Sequence, residues 1–143
     1  MPARSASPIS CAAISTSSVP LSRKLGIGPG DRVAALGATG GFAERLEGAV
    51  IRSRLRGSFD VIVLFAGTSG ALSERRLAAA VAALEPRGGL WIAWPKRSSG
   101  VETDVDERLV RERGLATGLV DNKVCAIDET WSGLRFVRRR ERG

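Results

Sequence analysis

The chain has no histidine and no tyrosine, only two cysteines and three lysines in 143 residues, and an aromatic content of 5%. Without histidine, the commonest general base and the commonest transition-metal ligand are both missing, so Ser-His and Cys-His catalysis and histidine-bound zinc are excluded. Two thiols, Cys11 and Cys125, fall short of the four that an all-cysteine zinc site needs, and they cannot build a disulfide framework. A reducing, cytoplasmic setting is the simplest expectation from so few cysteines. No window approaches the ~18 consecutive apolar residues of a membrane span, so no membrane crossing is expected.

What is present is a composition of 43% hydrophobic and 26% charged residues, ordinary for a globular protein, in a length that suits one domain. The net charge of +7 is uneven: residues 1–20 carry +1, residues 21–134 carry +2, and residues 135–143 carry +4. A cluster such as Arg138, Arg139, Arg140 and Arg142 suits binding to nucleic acid by release of counterions, and it equally suits a solubilising end. No aromatic residues interleave it for base stacking.

Residues 1–19 are rich in Ser and Ala and poor in bulky apolar side chains. They cannot bury enough surface to offset the entropy of ordering, so a disordered leader is expected, followed by a single domain over 20–138 and a basic tail over 139–143. Within the domain, residues 21–27 suit a short helix that Gly28, Pro29 and Gly30 stop. Strands are expected at 32–37, weakly at 50–53, and at 60–65, where the continuous apolar run fits a strand covered on both faces. A helix over 73–84 would place Leu77, Ala80, Val81 and Leu84 on one stripe. Pro86, Gly88 and Gly89 would end it before a strand at 90–94. Asp104 with Glu107 three residues on predicts a helix starting at Thr103 or Asp104. Two closing strands at 123–127 and 134–138 are joined by a link short enough for a hairpin and too short for a parallel crossover.

The segments FDVIVLF and LEPRGGLWIAW, followed by a terminal hairpin, resemble the second half of class I S-adenosylmethionine-dependent methyltransferases. More specifically, WPKRSSGVETD and LVDNKVCAIDETWSGLRFVRR resemble a bacterial family catalogued as a domain of unknown function, number 3052, over residues 20–140. The resemblance implies a three-layer Rossmann-like α/β fold, with a mostly parallel sheet of about six strands and a C-terminal antiparallel hairpin. In the methyltransferase superfamily a glycine-rich loop after the first strand lets the backbone approach the cofactor, and an acid ending the second strand binds the ribose. Here the loop reads Gly37, Ala38, Thr39, Gly40, Gly41, and the second strand ends at Ser53, Arg54 and Leu55 with no carboxylate. Only residues 54–58 separate the second and third strands, so either the adenine-side helix and strand are deleted or the second strand runs antiparallel.

These departures predict a binding or regulatory module with a degenerate cofactor site and no cofactor, S-adenosylmethionine being the one candidate. Methyl transfer, or an enzyme acting on a small anionic substrate, is the alternative. A protein partner is a further possibility that the residues leave open. Ligands of open α/β sheets lie beyond the carboxyl ends of the strands. The candidate ligand residues there are Thr39, Gly40, Ser69, Trp94, Lys96, Ser99 and Asp104, with Lys96 as the anion clamp. Each also has a structural reading: a tight turn for the glycines, a solvated loop end for Lys96, and a helix cap for Asp104. Asp128 and Glu129 read as a charged hairpin tip anchored by Trp131, and Cys125 as a buried, inert thiol.

Overall fold

The computed structural model describes residues 21–28, 30–37, 50–52 and 55–138. The expected leader, the loop with Thr39 and Gly40, and the tail with Arg139, Arg140 and Arg142 lie outside the described residues. The elements run α1 (Leu21–Leu25), β1 (Arg32–Leu36), β2 (Val50–Arg52), β3 (Phe59–Phe65), α2 (Glu74–Ala82), β4 (Leu84–Pro95), α3 (Glu107–Leu115), β5 (Val120–Ala126) and β6 (Trp131–Val137). One six-stranded sheet has the order β2-β1-β3-β4-β6-β5. The strands β2, β1, β3 and β4 are parallel, whereas β6 is antiparallel to both β4 and β5. The α/β class, the strand count and the closing hairpin thus agree with expectation.

The direction of β2 is parallel to β1, and the short connection after it is compatible with that. Arg52 is in register with Ala34, and Ala34 with Ile62, three residues beyond the start of β3. The chain therefore drops back by about 10 Å along the strands and crosses two strand spacings, about 10 Å, to reach Phe59. A separation of about 14 Å lies within reach of six linking residues, which span up to about 20 Å. A three-residue strand needs no long return.

Each face of the sheet carries its own core. Alternation along β4 sends Leu90, Ile92 and Trp94 to the face where Leu77 and Ala80 of α2 and Val110 of α3 dock. It sends Trp91 and Ala93 to the other face, against Leu21 and Leu25 of α1. The three layers follow from this two-sided burial. The indole Nε1 of Trp91 donates to the Leu25 carbonyl at 3.0 Å, which fixes the end of α1 over the middle of the sheet.

Several boundaries differ from expectation: β5 begins at Val120 rather than at 123, and β6 at Trp131 rather than at 134. β4 begins at Leu84, immediately after α2, rather than at Leu90. Phe59 pairs with Leu84 and Val61 with Gly89, so residues 85–88 bulge out opposite Asp60, and Pro86 sits in that bulge where no ladder bond is required of it. α3 begins at Glu107, capped by the Asp106 carboxylate, which accepts from the Leu109 amide at 2.9 Å; Asp104 is not the cap. Among the described residues no helix is long and apolar enough to cross a membrane.

Candidate functional site

Because β1 leads first to β2 on one side and the chain then returns to β3 on the other, the strand order reverses at β1. The switch-point crevice opens at the carboxyl ends of β1 and β3. Gly37 follows β1 there with φ 75°, and a Cβ on it would lie 3.2 Å from the Phe65 carbonyl oxygen. The left-handed backbone favours glycine, and the close approach means that a side chain here would have to displace the Phe65 carbonyl by a few tenths of an ångström. The end of β1 is thereby held against the end of β3 with no side chain between them. This is the one part of the glycine-rich loop within the described residues. No acid completes the ribose side at the end of β2, where Arg52 stands exposed.

The loop after β3 is fastened by three side chains from the segment after β4 and from α3. The Asp104 carboxylate accepts from the Ser69 amide at 2.9 Å and from the Ser69 hydroxyl at 2.7 Å. Thr103 donates its hydroxyl to the Gly67 carbonyl at 2.7 Å, and the Arg113 guanidinium donates to the Leu72 carbonyl at 2.9 Å. Donors from the Ser69 hydroxyl, and then from its amide, hold the Asp104 carboxyl below its ordinary pKa. Asp104 therefore ties the two loops together.

Beside that tie an open hollow of about 570 Å³ is lined by Trp94, Arg97, Thr103, Asp104, Asp106 and Arg108, among others. Its size suits a small ligand. Of its acids, Asp104 and Asp106 are engaged by Ser69 and by the helix cap. Trp94 belongs mainly to the core, at 6% exposure, and also lines the hollow. A shallower hollow of about 520 Å³ lies along α3, where Arg111 is engaged by Glu107 and Asp121, both at 3.0 Å.

The structure thus brings Ser69, Trp94 and Asp104 to one rim. Lys96 and Ser99 stand next to it without lining the hollow. The Lys96 amide donates to the Thr130 carbonyl at 2.7 Å, and the Ser99 hydroxyl donates to the Lys96 carbonyl at 2.6 Å, so both residues shape the turn after β4. Arg138 donates to the Val81 and Leu84 carbonyls at 3.0 and 2.8 Å, closing the end of α2. Asp128 accepts from the amides of Thr130 and Trp131 at 2.8 and 2.7 Å, and the Trp131 ring meets Phe65 edge-on at 5.1 Å, as a structural hairpin tip should. Cys125 is half-buried rather than buried. Arg113 was not among the expected site residues; its place in the last turn of α3 explains it as a helix end, and nothing in the sequence points to the loop it holds.

No family model matches the chain, and no curated protein matches it. Among solved structures the fold recurs in S-adenosylmethionine-dependent methyltransferases. A TehB-like enzyme from Corynebacterium glutamicum is similar with TM-score 0.53 at 15% identity, over 86% of this chain and 89% of that one. The N-methyltransferase NodS from Bradyrhizobium japonicum gives TM-score 0.55 at 15% identity, over 86% and 99%. Magnesium protoporphyrin IX methyltransferase (ChlM) from Synechocystis PCC 6803, solved with bound SAM and with bound SAH, gives TM-scores of 0.55 and 0.56 at 11% identity, over 78% of this chain and 71% and 75% of the other. The chain spans about half the length, 51%, of the pyocyanin biosynthetic protein PhzM, another structural match. The chain has a methyltransferase-like Rossmann fold. The expectation of no cofactor is corrected by these structures, since the fold was solved with SAM and SAH in place.

Proposed function

We propose that this chain is a methyltransferase-fold binding module that takes S-adenosylmethionine or S-adenosylhomocysteine at the crevice between the ends of β1 and β3, and acts by binding rather than by methyl transfer. The observation that carries the reading is Gly37: at the switch point the backbone turns through positive φ and its bare Cα packs against the Phe65 carbonyl, with no side chain of its own at the ends of β1 and β3. The fold shared with proteins solved with SAM and SAH supports the choice of ligand class. The non-catalytic part rests on the engagement of the polar groups at the rim, where Asp104 is given to Ser69 and Thr103 to Gly67, and on the missing acid after β2. The finer family placement, with the bacterial domain of unknown function 3052, belongs to the same proposal and rests on the two sequence segments quoted above.

Thermal-shift and calorimetric titration with S-adenosylmethionine and S-adenosylhomocysteine test the reading. Saturation at ~100 times Kd should add about 2.7 kcal/mol to stability, and Gly37→Val should abolish that gain. No stabilisation by either compound overturns the choice of ligand. Turnover of S-adenosylmethionine to S-adenosylhomocysteine with amine, hydroxyl or thiol acceptors overturns the non-catalytic role.

A further inference from the structure

Two of the three lysines in the chain, Lys24 and Lys123, meet on the α1 face of the sheet. The Lys123 ammonium donates to the Lys24 carbonyl at 3.2 Å, and the Lys24 ammonium to the Ala126 carbonyl at 3.4 Å. Lys123 is also in register with Arg135 on β6. Like charges directly opposite on neighbouring strands disfavour the pairing. Arg135 is half-buried, its burial lowers its pKa, and the polar partner it reaches is the neutral Asn122 side chain at 3.4 Å. Arg23, exposed on α1 and next to Lys24 in the chain, adds a fourth cation. Among the described residues none of these four cations has a carboxylate partner, although Arg111 elsewhere on the surface has two.

The two lysine heads bond carbonyls at the end of α1 and of β5, but among the described residues no carboxylate balances the charge of the group. We infer that Arg23, Lys24, Lys123 and Arg135 form a surface for the phosphate backbone of a nucleic acid, without reading of bases. A group of cations without carboxylate partners is complementary in charge to a phosphodiester chain, whose phosphates recur every few ångströms and bind cations by releasing counterions. An acidic membrane fits less well. The exposed large apolar side chains among the described residues are Val101, Leu115 and Val124, and Val124, next to Lys123 in the strand, points to the opposite face. The surface is independent of the cofactor crevice and of the arginines at 138–142, which the charge distribution alone had singled out.

The test is fluorescence anisotropy of a mixed-sequence 20-base-pair DNA duplex with the full chain across a salt series. Binding should weaken with salt with a log–log slope of about −3 to −4 for four neutralised phosphates. Lys24→Gln with Lys123→Gln should reduce the magnitude of that slope by about 2. Both heads also bond carbonyls that seat α1, so folding of the variant at the assay temperature is checked by its circular dichroism spectrum. Arg75→Gln on the α2 side should leave the slope unchanged. Absence of binding at ~50 mM salt overturns the inference, as does a slope that the double variant leaves intact. Loss of binding on removal of residues 138–143 alone, with no effect of the lysines, places the contact in the tail and overturns it too. Binding to vesicles of acidic lipid without binding to DNA does the same.

Discussion

The carboxylate of Asp104 is exposed, yet its charge is favoured by two donors of one residue, the amide and hydroxyl of Ser69. Hydrogen bonds to the charged form lower the pKa in the folded state relative to the unfolded chain. The associated contribution to stability is present above the unfolded carboxyl range and is lost as pH falls through the folded value. Ser69→Ala removes the first of these causes, so the Asp104 carboxyl should titrate closer to its ordinary value, as a carbon-detected NMR titration would show. An unmoved titration would mean that the amide alone sets the charge. Asp104 was legible as a residue of interest, but its partner was not. Asp104 and Asp106 stand two apart before the same helix, and either can be read as its cap; only the path of the backbone gives the cap to Asp106 and frees Asp104 for a residue 35 positions away.

Among the elements, α3 is held closest to the sheet at Gly114, where a Cβ would run into the Phe136 ring. Phe136 is fully buried and has no space to yield. Gly114→Ala would add about 1 kcal/mol of helix propensity, but overpacking a filled core typically costs about 1 to 3 kcal/mol. The net effect should be a lower urea midpoint with an unchanged slope; a higher midpoint would show that α3 moves outward freely. Gly114 lies inside α3, one residue before its end. The apolar runs of β3 and β4 marked the centre of the sheet correctly because burial on both faces leaves a plain signature. The start of β4 was hidden, since Pro86 and the glycine pair signal a break whether the chain leaves the sheet or only bulges from it.

At the scale of the whole molecule, one sheet divides two cores, and Trp91 is the side chain that joins the smaller one to the N-terminal helix. Trp91→Phe keeps an aromatic ring but leaves the Leu25 carbonyl without its donor. A loss of about 1 to 3 kcal/mol is expected, with faster amide exchange in 21–25 than in β3; equal exchange in both would mean that α1 docks without this bond. The order of strands was visible only in part, because pairing between distant segments has no local signature and the place of β6 between β4 and β5 depends on it. The same pairing bears on how the chain is made. Helix α1 is synthesised before the rest of the described fold, yet the groups that seat it include Trp91, Lys123 and the Ala126 carbonyl. Its docking must therefore wait until most of the chain has been synthesised, and during that interval the apolar side of α1 is exposed to whatever chaperone meets the nascent protein.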